Sequence, residues 1–106
     1  CDLSVRQCSF LHKDGEISVK FLSKIETEEE LLLSIALPDS LQLEEAWIEG
    51  VNMYMGKTPI IPENDVFVTF LGSCNLEKMQ WRLSFKVENK NGQVENYSAT
   101  FFTRRN

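Results

Sequence analysis

Sulfur-bearing side chains are the residues of this sequence whose type and spacing could do chemistry. Met53 and Met55 stand two positions apart, and Cys74 and Met79 follow on a later segment. In an extended strand, residues i and i+2 point to one face about 7 Å apart, so the two thioethers would be neighbours. Thioether and thiolate ligands favour Cu(I). The spacing therefore predicts a Cu(I) site formed by Met53, Met55 and Met79, with Cys74 as a further ligand.

A structural role for the same methionines is the alternative interpretation. Methionine fills irregular gaps in protein cores and contacts aromatic rings favourably, and Met79 shares its alternation with Trp81. Met53 and Met55 would then line one sheet face beside Trp47. A Met-x-Met pair with a Cys or Met on a neighbouring segment resembles periplasmic copper-handling β-sandwich domains, although the histidine that such sites usually include is missing. This resemblance implies copper binding or delivery in the bacterial envelope.

Catalytic motifs are absent from the sequence. His12 is the single histidine, so no second imidazole exists for a histidine-rich metal site. Neither a nucleophile elbow nor a metalloprotease motif is present. The tripeptide Gly56-Lys57-Thr58 lacks the first glycine of a phosphate-binding loop. We therefore expect His12 to be an exposed turn residue, and we expect a protein that is not an enzyme and has no catalytic residues.

Three cysteines, Cys1, Cys8 and Cys74, leave one unpaired after any disulfide. We predict a disulfide between Cys8 and Cys74, formed outside the reducing cytoplasm. Two unrelated buried thiols are the alternative. A disulfide-bonded Cys74 could not also bind copper as a thiolate, so the two predictions compete for one sulfur.

The leading Cys1, followed by the polar segment from Asp2 to Gln7, resembles the start of a small mature bacterial lipoprotein. The resemblance implies a lipid anchor on Cys1, a short tether over residues 1–4 and a location on the periplasmic face of a membrane. Each buried CH₂ contributes about 0.8 kcal/mol, so more than one acyl chain would hold the domain firmly. In the enterobacterial sorting pattern, aspartate at the second position, here Asp2, implies retention at the inner membrane.

Length and composition restrict the architecture to one domain. A chain of 106 residues, 42% hydrophobic and 25% charged, is typical of a single folded unit over residues 1–106 and not of a disordered chain. The net charge is −5 and the basic residues are scattered. Nucleic acid is therefore excluded as a partner, because binding it requires a positive face.

Alternation with a period of two dominates the sequence and predicts the strands that must position any site. In the clearest strand, the apolar side chains of one parity are Met79, Trp81, Leu83, Phe85 and Val87. Asn91-Gly92 predicts a hairpin turn that leads to a returning strand near residues 94–103. A second hairpin is expected near the N-terminus, where 13–15 form the turn and Ile17, Val19 and Phe21 alternate.

Three further strands are expected in the middle of the chain, near residues 31–37, 44–48 and 66–70. The first is ambiguous, because Thr27 to Glu30 also resembles a capping box that would begin a helix. We favour a strand, since Leu31, Leu33, Ile35 and Leu37 would then share one face. Seven or eight short strands predict an all-β fold, an antiparallel two-sheet sandwich of immunoglobulin-like architecture.

The proline-bounded segment from Lys57 to Pro62 is predicted to be an ordered, exposed loop. Adjacent Ile60 and Ile61 cannot both face the core, so one of them is either buried at the sandwich edge or offered to a partner. The leading functional expectation is a non-enzymatic, membrane-tethered interaction or assembly module that presents a sheet edge or loop to another envelope protein. Periplasmic Cu(I) binding or delivery is the alternative.

Overall fold

The computed structural model describes residues 1–54, 56–72 and 77–104. This part of the chain is all-β, and its nine strands form two antiparallel sheets. They are β1 (Cys8–His12), β2 (Gly15–Phe21), β3 (Glu30–Ala36), β4 (Gln42–Gly50), β5 (Lys57–Pro59), β6 (Ile61–Glu63), β7 (Val66–Phe70), β8 (Lys78–Glu88) and β9 (Val94–Arg104). The five-stranded sheet has the order β1-β2-β3-β7-β6, and the four-stranded sheet has the order β5-β4-β8-β9. The predicted two-sheet sandwich is confirmed.

The C-terminal hairpin of β8 and β9 is the longest pairing, from Lys78 opposite Arg104 to Glu88 opposite Val94. The predicted inward parity of β8 is confirmed, since its five alternating apolar side chains are all buried. In the turn, the Gly92 amide donates to the Asn89 carbonyl over 3.0 Å, and Gly92 has a φ of 80°. Glycine adopts this left-handed conformation without a Cβ penalty, which explains its position.

The ambiguous segment after Thr27 forms the strand β3 and not a helix. Leu31, Leu33 and Ile35 are buried while Leu32 and Ser34 between them are only partly covered. A helix would have spread the same leucines around its circumference, whereas the strand directs one parity into the core.

The segment from Lys57 to Pro62 differs from the expected loop. It forms the two short strands β5 and β6, which belong to different sheets and are separated by the buried Ile60. The chain therefore crosses between the sheets at this residue. This crossing explains why nine strands are found where seven or eight were predicted.

The opposite side of the sandwich is closed by β1, β9 and the first residues of the chain. Phe10 of β1 contacts Tyr97 of β9 with ring centroids 5.3 Å apart. Residues 1–4, which were expected to be a tether, lie along β9 instead: the Leu3 amide donates to the Thr100 carbonyl over 2.7 Å, and Leu3 is buried. The N-terminal segment thus covers part of the edge of β9 and contributes to the core.

Candidate interaction surface

The outer face of the five-stranded sheet has a continuous row of apolar side chains. Leu22 follows β2, and its amide donates to the Leu32 carbonyl over 2.7 Å. Leu32 lies opposite Val68, which lies opposite Ile61. We call these four residues the apolar row. Because cross-strand neighbours have Cβ atoms about 4.5–5.5 Å apart, the row runs across four chain segments without a gap.

Phe70 extends the apolar row towards the other sheet. Its side chain is 49% exposed, and it borders a groove of about 290 Å³ together with Ile61, Val68 and residues of β5. Exposed apolar side chains that stand alone are normal on protein surfaces, whereas contiguous ones mark contact surfaces. The row and Phe70 are contiguous, so they form the candidate interaction surface.

The alternation of side chains along β7 determines which of them lie on this surface. Phe67 and Thr69 are the side chains that point inward: Phe67 packs against the core, and the Thr69 hydroxyl donates to the Pro59 carbonyl over 3.0 Å. Because side chains alternate along a strand, a buried Thr69 places Val68 and Phe70 on the outer face. The buried polar group is paired, so this parity leaves no unmade hydrogen bond in the core.

Three exposed carboxylates border the apolar surface on the side of Phe70 and β6, whereas its Leu22 end lies beside the exposed Lys20 and Lys24. Glu30 lies opposite Phe70, Glu63 lies opposite Val66, and Asp65 is in the turn between β6 and β7. We call Glu30, Glu63 and Asp65 the acidic rim. A partner that covers the surface would therefore gain from positive charge around an apolar centre.

Adjacent Ile60 and Ile61 have different environments, one buried and one exposed. Ile60 is 6% exposed and packs in the core, whereas Ile61 is 53% exposed on the outer face. The expectation that the two side chains cannot share one environment is confirmed. Ile61 is the residue that a partner could reach.

The outer face of the four-stranded sheet has a different character. The ring of Trp47 is covered by two ammonium groups, with Lys57 Nζ 4.5 Å and Lys86 Nζ 5.8 Å from its centroid. Its indole N–H donates to Glu49 over 3.4 Å. The aromatic surface here is thus already occupied by cations, and the contiguous apolar surface lies on the other sheet.

The structure describes only two of the four residues that were predicted to bind copper. Met79 is buried in β8 and Met53 is partly exposed after β4, while Met55 and Cys74 lie outside the described residues. The Met53 carbonyl and the Met79 methyl group both approach Gly50 so closely that a side chain there would collide with them. The main chain of Met53 and the side chain of Met79 are therefore both neighbours of Gly50. Within the described ranges, no group of three His, Cys, Asp or Glu residues could hold a metal ion.

The disulfide in the structure joins Cys1 to Cys8, with Cα atoms 6.0 Å apart. The predicted pairing of Cys8 with Cys74 is wrong for this structure, and Cys74 itself lies outside the described residues. The physical reason is the docking of residues 1–4 along β9, which brings Cys1 next to the start of β1. A sulfur in a disulfide cannot carry a thioether-linked lipid, so the disulfide and the expected lipid on Cys1 are alternative states.

His12 is not the exposed turn residue that was expected. It ends β1, and its side chain is only 2% exposed. The Asp14 amide donates to Nδ1 over 3.0 Å, and Nε2 lies 3.2 Å from Glu95 Oε1. Because Nδ1 accepts, the neutral ring carries its proton on Nε2 and donates to Glu95. No local signal marked this contact, since Glu95 is on the distant strand β9.

Glu95 also accepts a hydrogen bond from the Tyr97 hydroxyl over 2.8 Å. This bond lowers the pKa of the Glu95 carboxyl, and His12 adds to the lowering against the opposing effect of burial. Burial, together with the same bond and the carboxylate charge, raises the pKa of Tyr97 to about 12. Elsewhere, the neighbouring carboxyl of Glu88 raises the pKa of Glu44 by hydrogen bonding and charge repulsion.

Fold and surface together define a β-sandwich with an apolar outer sheet face and an acidic border. No helix in the described part of the chain is long and apolar enough to cross a membrane. No protein-family model, no curated protein and no solved structure matches this chain. The surfaces of the molecule are therefore the basis for its proposed function.

Proposed function

We propose that the protein is a non-enzymatic binding module of the cell envelope, which holds an apolar segment of another protein against the apolar row and Phe70. The observation that carries this proposal is the continuous run of cross-strand apolar neighbours from Leu22 to Ile61, in which Leu22 and Ile61 are exposed and Leu32 and Val68 are partly covered. Burying such surface gives about 25 cal/mol per Å² before the costs of association. A surface of this kind is costly in an isolated soluble domain unless it has a partner.

The acidic rim specifies the chemistry of that partner. Glu30, Glu63 and Asp65 would attract a segment in which apolar residues are flanked by Lys or Arg. A second copy of the chain is a poorer occupant, since a two-fold contact through this face would bring two acidic rims together. The proposed partner is thus a different protein with a basic, apolar recognition segment.

The sheet face, and not the free edge of β6, is the proposed contact. Pro62 is the central residue of the three-residue strand β6, and proline has no backbone N–H to donate to an added strand. Short, proline-containing edges are a common protection against strand addition. Side-chain packing on the apolar row therefore supplies the binding energy in this proposal.

An oxidising compartment is part of the proposal, because the Cys1–Cys8 disulfide is stable there and not in a reducing cytoplasm. We place the module on the periplasmic side of a bacterial membrane. Lipid attachment to Cys1 and inner-membrane retention through Asp2 stay predictions. Thioether lipidation would require the disulfide to be open.

A photo-crosslinking amino acid at Ile61 tests the proposal. Crosslinks should form from Ile61 and not from Leu11, a control position that is 90% exposed on β1 of the same sheet. With the crosslinked protein purified, Ile61→Glu should weaken binding at least about tenfold while Leu11→Glu leaves it unchanged, and neither should move the melting temperature by much. Equal effects of the two variants on binding would contradict the proposed interaction surface. If the protein instead forms concentration-dependent dimers that Ile61→Glu abolishes, the occupant of the surface is a second copy of the chain.

Cu(I) binding is a second candidate function, favoured by the approach of the Met53 main chain and the Met79 side chain to the same glycine. Methionine thioethers are ligands of the type that Cu(I) prefers. Titration of the protein with Cu(I) against a chromophoric chelator should show stoichiometric binding. A Met53→Leu/Met55→Leu variant that competes as well as the unaltered protein would eliminate this candidate.

A further inference from the structure

A second depression lies between the disulfide loop and the end of β2, beside the Leu22 end of the apolar row. It has a volume of about 520 Å³. One wall is the loop closed by Cys1 and Cys8, which contributes Arg6 and Gln7, and the other is the end of β2 and the following loop, which contribute Lys20 and Lys24. We call this depression the N-terminal pocket.

The charge of the N-terminal pocket contrasts with that of the whole protein. The net charge is −5, yet Arg6, Lys20 and Lys24 line the pocket and none of the described lining residues is acidic. None of the three cations is in an ion pair with another described residue. Three unpaired cations around one concave surface give a local positive potential that attracts anions.

The floor of the pocket is apolar and held in place. Its apolar lining residues are Leu3, Phe21, Ile25 and Phe102, of which the Phe102 ring has Lys78 Nζ 4.5 Å from its centroid. Phe21 packs edge to face on Phe101 with centroids 5.0 Å apart, and the Phe102 amide donates to Ser4 Oγ over 2.6 Å. Ligand sites typically combine such an apolar surface with a few polar groups that set orientation.

The disulfide fixes the wall that carries Arg6. Residues 2–7 are anchored at one end by the pairing of Leu3 with Thr100 and are closed into a loop by the Cys1–Cys8 bond. Arg6 is thereby restricted to the side of the pocket that faces Lys20 and Lys24. Restricting a side chain before binding reduces the entropy lost when the ligand arrives.

We propose that the N-terminal pocket binds a phosphate monoester that has a short hydrocarbon part. The phosphate would lie between Arg6, Lys20 and Lys24, where charge-assisted hydrogen bonds can form, and the hydrocarbon would lie on Phe21 and Ile25. This site adjoins the Leu22 end of the apolar row, because Phe21 and Ser23 of its lining flank Leu22 in the chain, but the proposed ligand does not depend on the proposed partner. Such a ligand is either a soluble ester or the phosphate end of a membrane lipid.

Titration of the ¹⁵N-labelled, oxidised protein with hexyl phosphate at low ionic strength tests the proposal. The expected result is saturable shifts of the amide signals of Arg6, Lys20, Phe21 and Phe102. A Lys20→Gln/Lys24→Gln variant should bind at least about tenfold more weakly, since it loses two hydrogen bonds to a charged group. Both lysines are exposed, so its melting temperature should stay unchanged.

The matched control is Lys13→Gln/Lys90→Gln, which removes the same charge at the two turns at the other end of the sandwich. It should bind hexyl phosphate as the unaltered protein does. Equal weakening by both double variants would overturn the proposal, because a general charge effect would then explain binding. Equal binding of 1-hexanol would overturn it as well, since the phosphate would be irrelevant.

Sedimentation with phosphatidic acid vesicles distinguishes the two sources of the ligand. Association with vesicles that is lost in Lys20→Gln/Lys24→Gln identifies a lipid headgroup. Hexyl phosphate binding without vesicle association identifies a soluble ester. If neither probe binds, the N-terminal pocket is not a phosphate site.

Discussion

The imidazole of His12 and the carboxylate of Glu95 join the two sheets at one end of the sandwich, with Nε2 3.2 Å from Oε1. His12 ends the first strand of one sheet, and Glu95 lies near the start of the last strand of the other. The contact, together with the Tyr97 hydroxyl on the same carboxylate, closes this end of the core. His12 thus has a structural role, because it links the two sheets through Glu95.

Glu95 should make the free energy of unfolding fall as the pH becomes acidic. Its pKa in the folded protein is lowered from 4.5, so its stabilising contribution is fully present above that value and is lost as the pH falls through the folded pKa. Glu95→Gln should lower the melting temperature at neutral pH and reduce its fall between about pH 5 and pH 3. Glu16→Gln, which removes a charge from the outer face of β2, is the control and should leave the acid profile unchanged.

Tyr97 produces the opposite dependence at alkaline pH. Its pKa is raised from 10.0 to about 12, so the folded state holds this proton longer than the unfolded state does. The resulting stability is present below pH 10 and is lost as the pH rises towards about 12. Absorbance titration should show Tyr97 ionising near that value, and Tyr97→Phe should remove this step. A phenol that titrates near 10 in the folded protein would contradict the assignment.

Truncating Ile60 and Ile61 to alanine should lower the free energy of unfolding by very different amounts. Ile60→Ala removes a buried side chain and should cost about 2–5 kcal/mol, whereas Ile61→Ala on the outer face should change stability by less than about 0.5 kcal/mol. Denaturant unfolding measures both. Similar losses for the two variants would show that Ile61 is packed and not presented.

Gly50 should tolerate no side chain. A Cβ at this position would collide with the Met53 carbonyl and the Met79 methyl group, and only the methyl group can move cheaply. We expect Gly50→Ala to cost about 1–3 kcal/mol, the usual effect of overpacking. Gly56→Ala is not a useful control because its φ of 82° adds backbone strain, so Ser98→Ala on the exposed face of β9 serves instead.

The Cys1–Cys8 disulfide should be detectable by intact mass as the loss of two hydrogens. Opening it with Cys8→Ser should cost about 2.5 kcal/mol by loop-closure entropy for a separation of 7 residues. Protein isolated from its native membrane distinguishes the alternatives at Cys1. Acyl mass on Cys1 would show lipidation and an open disulfide, whereas the unacylated, oxidised mass would contradict the lipid anchor.

Alternation along β8 and β9 sufficed to predict the sandwich, because each strand has one consistently apolar parity. In β7 both parities are apolar, from Val66 to Phe70, so the sequence could not show that Thr69 would point inward and expose Phe70. In the fold, the Pro59 carbonyl accepts from Thr69 across the chain crossing and Phe67 packs against the core. This parity places Val68 and Phe70 on the outer face.

Long-range contacts account for the other differences. His12 and Glu95 are 83 residues apart, and no local pattern connects them. With three cysteines, three pairings were open, and the parallel docking of the first residues on β9 selects Cys1 with Cys8. Neither the histidine contact nor the disulfide could be predicted before strand order was known.

The disulfide also determines how the domain would respond to mechanical tension. A pulling force applied at Cys1 passes through the sulfur bridge into β1 at Cys8, and part of it reaches β9 through the Thr100 amide that donates to the Cys1 carbonyl. The bridge therefore bypasses residues 2–7 and shields the hydrogen bond from Leu3 to Thr100. After reduction the same force would travel along residues 2–7 and peel Leu3 from β9 first, uncovering the core at that edge.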